Sequence, residues 1–232
     1  MFEELKSIDI EIDKETETLL TAYSKMFAEY NSKVNLIGKN DEKYLFEKHI
    51  YDSLAINLFF KKYIILNKIN ILDIGTGGGF PSVPVSFLYK DINVTAVDSI
   101  NKKINFIKLV KEQFKLSNLN PVCTRVEDIQ NKNSFDVVTS RAMAELRVIL
   151  EYAIPYVKTG GYFVAYKSIK HNEEITAANN ALKILNSEII NEIEYTLPLK
   201  EINKRVLIVI KKEKDTPLIY PRNSSLIKKK PL

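Results

Sequence analysis

The 232-residue sequence holds a single cysteine, Cys123, which excludes an internal disulfide and a cysteine-rich zinc site. No second histidine or cysteine stands at ligand spacing from His49, so no metal site is expected. No run approaches the roughly 18 apolar residues that a membrane-crossing helix needs. The N-terminal stretch MFEELKSIDIEIDKE is acidic and lacks the basic-then-apolar form of a signal peptide. A cytoplasmic protein is therefore expected. Internal repeats and long low-complexity segments are absent. What remains is ordinary for a globular chain: 45% hydrophobic, 27% charged and 10% aromatic residues, enough for one sizeable core with a small appendage. Cys123, between Val122 and Thr124, reads as a small core residue.

Charge is unevenly placed. The net charge is +5. Residues 1–18 carry seven acids and two lysines, whereas residues 222–232 carry Arg222, Lys228, Lys229 and Lys230 and no acid. A basic chain with a basic end suggests a polyanionic partner.

The first 60 residues read as helical. Leu19, Leu20, Tyr23, Met26, Phe27 and Tyr30 recur at three and four, NSKVNLIGKND breaks the pattern, and a second stripe runs from Tyr44 to Phe59. From residue 69 short apolar strands alternate with helices. Strands are expected at 69–75, 92–98, 121–126, 135–140, 161–168, 193–199 and 205–212, and helices at 81–90, 100–116, 144–157 and 171–187. This alternation implies an α/β fold with a mostly parallel, doubly wound sheet. Only LPLKEINK separates the last two strands, which predicts an antiparallel hairpin at one edge. The order is that of a Rossmann-like methyltransferase. The expected organisation is a helical extension (1–62), a core (63–214) and a basic tail (215–232) within one compact unit.

Glycine is scarce, yet four of the seven glycines fall in ILDIGTGGGFPSVPV, residues 71–85. A loop between the first strand and its helix lies where open α/β sheets bind ligands. A dinucleotide fingerprint wants G-x-G-x-x-G, but the sixth position is Phe80, and no Walker A ending is present. Acid-x-Gly-x-Gly-x-Gly suits S-adenosylmethionine (SAM). Gly75, Gly77 and Gly79 form the cradle, Asp73 sits near the methionine ammonium, directly or through water, and Asp98 accepts from both ribose hydroxyls. Val126 and Glu127, at the end of the third strand, line the adenine.

DIGTGGGFPSVPV, VDSINKKINFI, SRAMAEL, the upstream EKHIYDSL and the later TPLIYPR together resemble the GidB/RsmG family of bacterial 16S rRNA guanine-527 N7-methyltransferases. The resemblance runs from about Asn35 to Arg222. It implies a SAM-dependent methyltransferase core with an N-terminal helical extension. It implies cofactor contacts at Gly75, Phe80, Val126, Glu127 and Arg141, and 16S rRNA or a small-subunit intermediate as partner. Two departures fall in segments expected to face RNA: YKSIK, with Ser168, where the family often has Leu-Lys-Gly, and YPRNSS, with Asn223, where many relatives have YPRKPG.

The missing parts agree with a ring-nitrogen or oxygen acceptor. Guanine N7 offers an in-plane lone pair, so no general base is required. The chain has Ser140-Arg141-Ala142 where amino methylation uses Asn/Asp-Pro-Pro-aromatic, and Cys123 is misplaced for carbon-5 chemistry. Arg141 is expected near the cofactor carboxylate, a phosphate or guanine O6, or else in a salt bridge at a helix start. His49 and Asp52 share a helix face, either beside the target base or as a partly buried pair joining the extension to the sheet. His171 reads as the start of a surface helix, and Phe2, Phe59 and Phe60 as core.

Lys102, Lys103, Arg147, Lys167, Arg222, Lys228, Lys229 and Lys230 are the expected RNA-binding set. The tail is expected to order only on RNA and to serve RNA rather than SAM. No obligate protein partner is evident. A SAM enzyme for a small molecule or a protein, and a non-enzymatic assembly factor of the same fold, remain alternatives.

Overall fold

A computed structural model describes residues 2–64, 67–169 and 171–232. Lys170, which ends YKSIK, lies outside the described residues. Among these, no helix is long and apolar enough to cross a membrane.

Helix α1 (Lys14–Val34) begins at Asp13, whose side chain accepts from the Thr16 amide at 2.7 Å. It ends where Asn35 turns left-handed at φ 52°. Its buried face, Leu20, Tyr23, Phe27 and Asn31, follows helical spacing. After the single turn α2 (Lys39–Glu42), a π-helical turn (Phe46–Tyr51) runs into α3 (Asp52–Leu54) and α4 (Asn57–Tyr63).

The sheet follows. Strands β1 (Asn70–Ile74), β2 (Asn93–Asp98), β3 (Leu119–Cys123), β4 (Phe135–Arg141) and β5 (Val157–Ser168) are parallel. They are joined by α5 (Ser82–Leu88), α6 (Asn101–Gln113) and α7 (Leu146–Ala153). Helix α8 (Asn172–Ile184) leads to β6 (Ser187–Leu197) and β7 (Asn203–Lys212), and α9 (Ser224–Lys229) closes the chain. The strand order is β3-β2-β1-β4-β5-β7-β6, with β7 antiparallel to both neighbours. This is the doubly wound sheet with an antiparallel edge hairpin.

Two apolar clusters cover the two faces. Tyr23 and Phe27 of α1 interleave with Phe80, Phe87 and Phe106, with ring centroids 5.3–6.4 Å apart. Burying each such ring stabilises the fold by about 1.5–3 kcal/mol. The extension is thereby held against the glycine loop: a Cβ on Gly78 would lie 3.1 Å from Phe27.

Several local expectations need correction. The third strand stops at Cys123, and Val126 and Glu127 sit in a separate 3-10 turn. Cys123 is exposed, because its strand is the sheet edge. His171 does stand at the start of α8, but it is buried rather than on the surface, its ring nitrogens facing the Ser168 carbonyl and the Glu192 carboxylate. The C-terminal residues, expected as a tail with little to bury, instead form α9 and pack on the core. Ile227 is fully buried, and Asn223 caps α9 by accepting from the Leu226 amide at 2.9 Å.

Candidate cofactor and substrate cavities

A cavity of about 430 Å³ opens at the carboxyl ends of the parallel strands. Gly75, Asp98, Val126, Glu127, Met143 and Tyr152 are among its walls. The glycines have separate tasks. Gly75 (φ +70°) forms the wall itself, and a Cβ there would lie 3.0 Å from Met143 Sδ. Gly77 (φ +59°) turns the loop so that its N–H donates to Asp98 Oδ2 at 3.0 Å. Gly79 admits α5, since a Cβ would lie 2.7 Å from Val83.

Asp98 ends β2 at the cavity, accepting from the Gly77 and Ile100 amides, with Lys103 Nζ at 3.6 Å. A carboxylate so placed can accept from vicinal ribose hydroxyls, and Val126 and Val148 present apolar surface suited to a purine face. These residues fit SAM. Asp73 lies behind the loop instead of on the cavity wall. Its oxygens accept from Ser82 Oγ at 2.6 Å and Thr139 Oγ1 at 3.2 Å, and burial pushes its carboxyl up to about 6 despite those bonds. Phe80 is buried too, packed under His49 and the Arg141 guanidinium at 5.0 and 5.1 Å.

Arg141 faces away from this cavity, into a second one of about 260 Å³ that it shares with His49, Asp52 and Arg205. Ala142, left-handed at φ 53°, borders both cavities. The guanidinium donates to the Lys48 carbonyl at 2.9 Å, Asp52 Oδ2 at 3.0 Å and His49 Nδ1 at 2.9 Å. Because Arg is always a donor, Nδ1 is assigned as acceptor and the proton to Nε2, which is buried without a partner among the described residues. Burial first, then Arg141, lowers the His49 pKa to about 4, so the ring is neutral near pH 7.

The expected RNA-binding residues divide. Lys167 donates to Glu174 and the Ala144 carbonyl, both at 2.6 Å, bracing the loop after β4. Arg222 clamps the fully buried Glu151 through bonds of 2.7 and 2.6 Å. Arg147 pairs with Glu145 at 3.1 Å. Lys102, Lys229 and Lys230 are exposed, and Lys228 reaches the first cavity beside Ser224. Met143, Tyr152, Ser224 and Arg205 were missed by sequence reasoning. Only Met143 carried a signal, standing directly after Arg141 and Ala142 in SRAMAEL.

Sheet order and cavity define a Rossmann-like, SAM-dependent methyltransferase. Solved structures of that shape include a SAM-dependent methyltransferase from Aquifex aeolicus (TM-score 0.55, 18% identity, 77% of this chain and 97% of that one). The Bacillus YcgJ protein is another (TM-score 0.54, 13% identity, 68% and 98%). The sequence profile of the GidB family, described as rRNA small subunit methyltransferase G, matches residues 16–205, and the chain belongs to that family. Ribosomal RNA small subunit methyltransferase G of Streptococcus pneumoniae serotype 19F is 40% identical, over 90% of this chain and 89% of its own length. The Streptococcus suis protein of the same description is 38% identical with the same coverage.

Proposed function

We propose that this SAM-dependent rRNA methyltransferase modifies N7 of a guanine, at position 527 of 16S rRNA, in the cytoplasm, on the RNA or a small-subunit intermediate. The observation carrying this reading is the second cavity, which adjoins the cofactor cavity at Ala142 and is rich in donors. The bound cofactor supplies an electrophilic methyl on a sulfonium. Asp98 and the glycine loop fix the adenosine, and alignment of the two reactants provides much of the acceleration.

The groups facing the second cavity suit an acceptor with no proton to lose. Asp52 is engaged on both oxygens, by Arg141 on one and by Tyr195 and Arg205 on the other. His49 offers Nδ1 only to Arg141. Arg141 and Arg205 are left to donate to guanine O6 or to a phosphate. The extension (1–62) supplies His49 and Asp52, the core (63–214) the cofactor loop, and the segment 215–232 the remaining basic groups. Tritium transfer from labelled SAM to unmethylated 16S rRNA, with the product nucleotide mapped, tests this. The label should appear as 7-methylguanine; a methylated amino group or carbon overturns the reading.

A further inference from the structure

Beyond residue 205, where the family match ends, the chain returns to the cofactor cavity and walls part of it. Four features anchor the return. Arg222 clamps buried Glu151. Asn223 caps α9. Ile227 is fully buried in the apolar cluster to which α7 contributes. The Ser224 hydroxyl lies 2.7 Å from the Tyr152 hydroxyl. With Ile227 turned inward, Ser224 and Lys228, four residues apart, face the cavity together beside Val126 and Glu127.

We infer that α9 is a component of the cofactor site and closes its adenosine end. The paired hydroxyls of Tyr152 and Ser224 stand on the wall of Val126 and Glu127, where a purine edge needs hydrogen-bonding partners, and Lys228 lies on the same wall. Asn223, a departure from the family pattern, caps this helix and so helps to set the position of Ser224 and Lys228. The inference rests on SAM being the cofactor, and the probes are chosen to separate the two.

Calorimetric titration should be run with S-adenosylhomocysteine and with 5′-methylthioadenosine, which keeps the adenosine and lacks the amino-acid end. Deleting residues 223–232 should weaken both probes by the same factor, roughly tenfold or more. Ser224→Ala should weaken both by about two- to tenfold. Ser225→Ala, on the same helix but off the wall, should leave both unchanged. Circular dichroism and thermal melting establish folding. If the deletion fails to fold, the double variant Ser224→Ala/Lys228→Ala carries the test. Unchanged affinity in a folded deletion or in the double variant overturns the inference. So does a loss confined to S-adenosylhomocysteine, which would place α9 at the other end. Failure of the unaltered protein to bind either probe would overturn the cofactor assignment itself.

Discussion

Arg141, the last residue of β4, meets Asp52, 89 residues earlier in the helical extension, at 3.0 Å, with only 2% of the Asp52 side chain exposed. Asp52 also accepts from Tyr195 at 2.6 Å and Arg205 at 3.4 Å. One carboxylate thus ties the extension, the end of β4 and the edge hairpin together. Removing it leaves two arginines partly buried and uncompensated.

Asp52→Ala should therefore lower unfolding free energy by about 3–5 kcal/mol, the range for breaking a buried pair from one side. Urea denaturation measures this. A loss below about 1 kcal/mol would show that water replaces the network at no cost.

Two buried groups give opposite pH dependences. His49 titrates at about 4 in the folded chain against an ordinary 6.5, so below 6.5 the unfolded chain takes up a proton the folded chain refuses, and stability falls toward pH 4. Asp73 titrates at about 6 against 3.8, so the folded chain keeps a proton longer, and stability falls as pH rises from about 4 through 6. Relative to the parent, His49→Gln should gain on the order of 1–2 kcal/mol when pH drops from 7.5 to 5. Asp73→Asn should show its advantage at pH 7 and lose it below 4. Unfolding at several pH values separates them; a variant tracking its parent throughout refutes the corresponding shift.

Much of this arrangement was legible in the sequence because it is local. Strand-turn-helix alternation, the strand-end acid Asp98 and the glycine loop all follow from periodicities and conformational needs within a few residues. Asp73 was legible as an acid in the motif, but its partners Ser82 and Thr139 come from a helix and another strand. Its role as an internal brace depends on tertiary packing. Arg222 and Lys167 show the same limit: each is a free cation in the sequence and half of an ion pair in the fold. The end of β3 moved because edge position and not apolarity decided it. Helix α9 buries one residue, Ile227, too little for a periodic signal, and its other anchors are contacts to distant residues.

Asp98→Ala should weaken S-adenosylhomocysteine binding by about 1.5–3 kcal/mol, the worth of hydrogen bonds to a charged group. The substitution also frees the Gly77 and Ile100 amides that now converge on it. Titration calorimetry decides. Unchanged affinity would remove Asp98 from the site.

The glycines should respond in different ways. Gly75→Val places its side chain against Met143 on the cavity wall and should abolish cofactor binding while the fold persists. Gly79→Ala, with its Cβ 2.7 Å from Val83, should instead destabilise the fold by displacing α5. Gly77→Ala meets nothing closer than 3.9 Å, so its cost should be the left-handed conformation alone, roughly 1–2 kcal/mol. Melting temperature and binding, measured together, distinguish the three. A Gly75→Val protein with full affinity would place the cofactor elsewhere.

RNA affinity should depend on the cations that the fold leaves unpaired. Lys102, Lys229 and Lys230 are exposed and have no ion pair among the described residues, whereas Arg222 and Lys167 are held internally. Each phosphate contact releases counterions and contributes about −0.7 to −0.9 to the slope of log affinity against log salt. Replacing the three lysines by glutamine should flatten that slope by roughly 2–3 if all three engage. The modified base should not change, since phosphate contacts position an enzyme without reading sequence. Arg222→Ala should behave differently, leaving Glu151 buried without its partner and lowering stability before it touches the salt dependence. Filter binding over a salt series, on one RNA, compares the triple variant with its parent. Parallel slopes would mean that these lysines are solvated ends and that RNA is held by other cations, Arg141 and Arg205 of the second cavity among them.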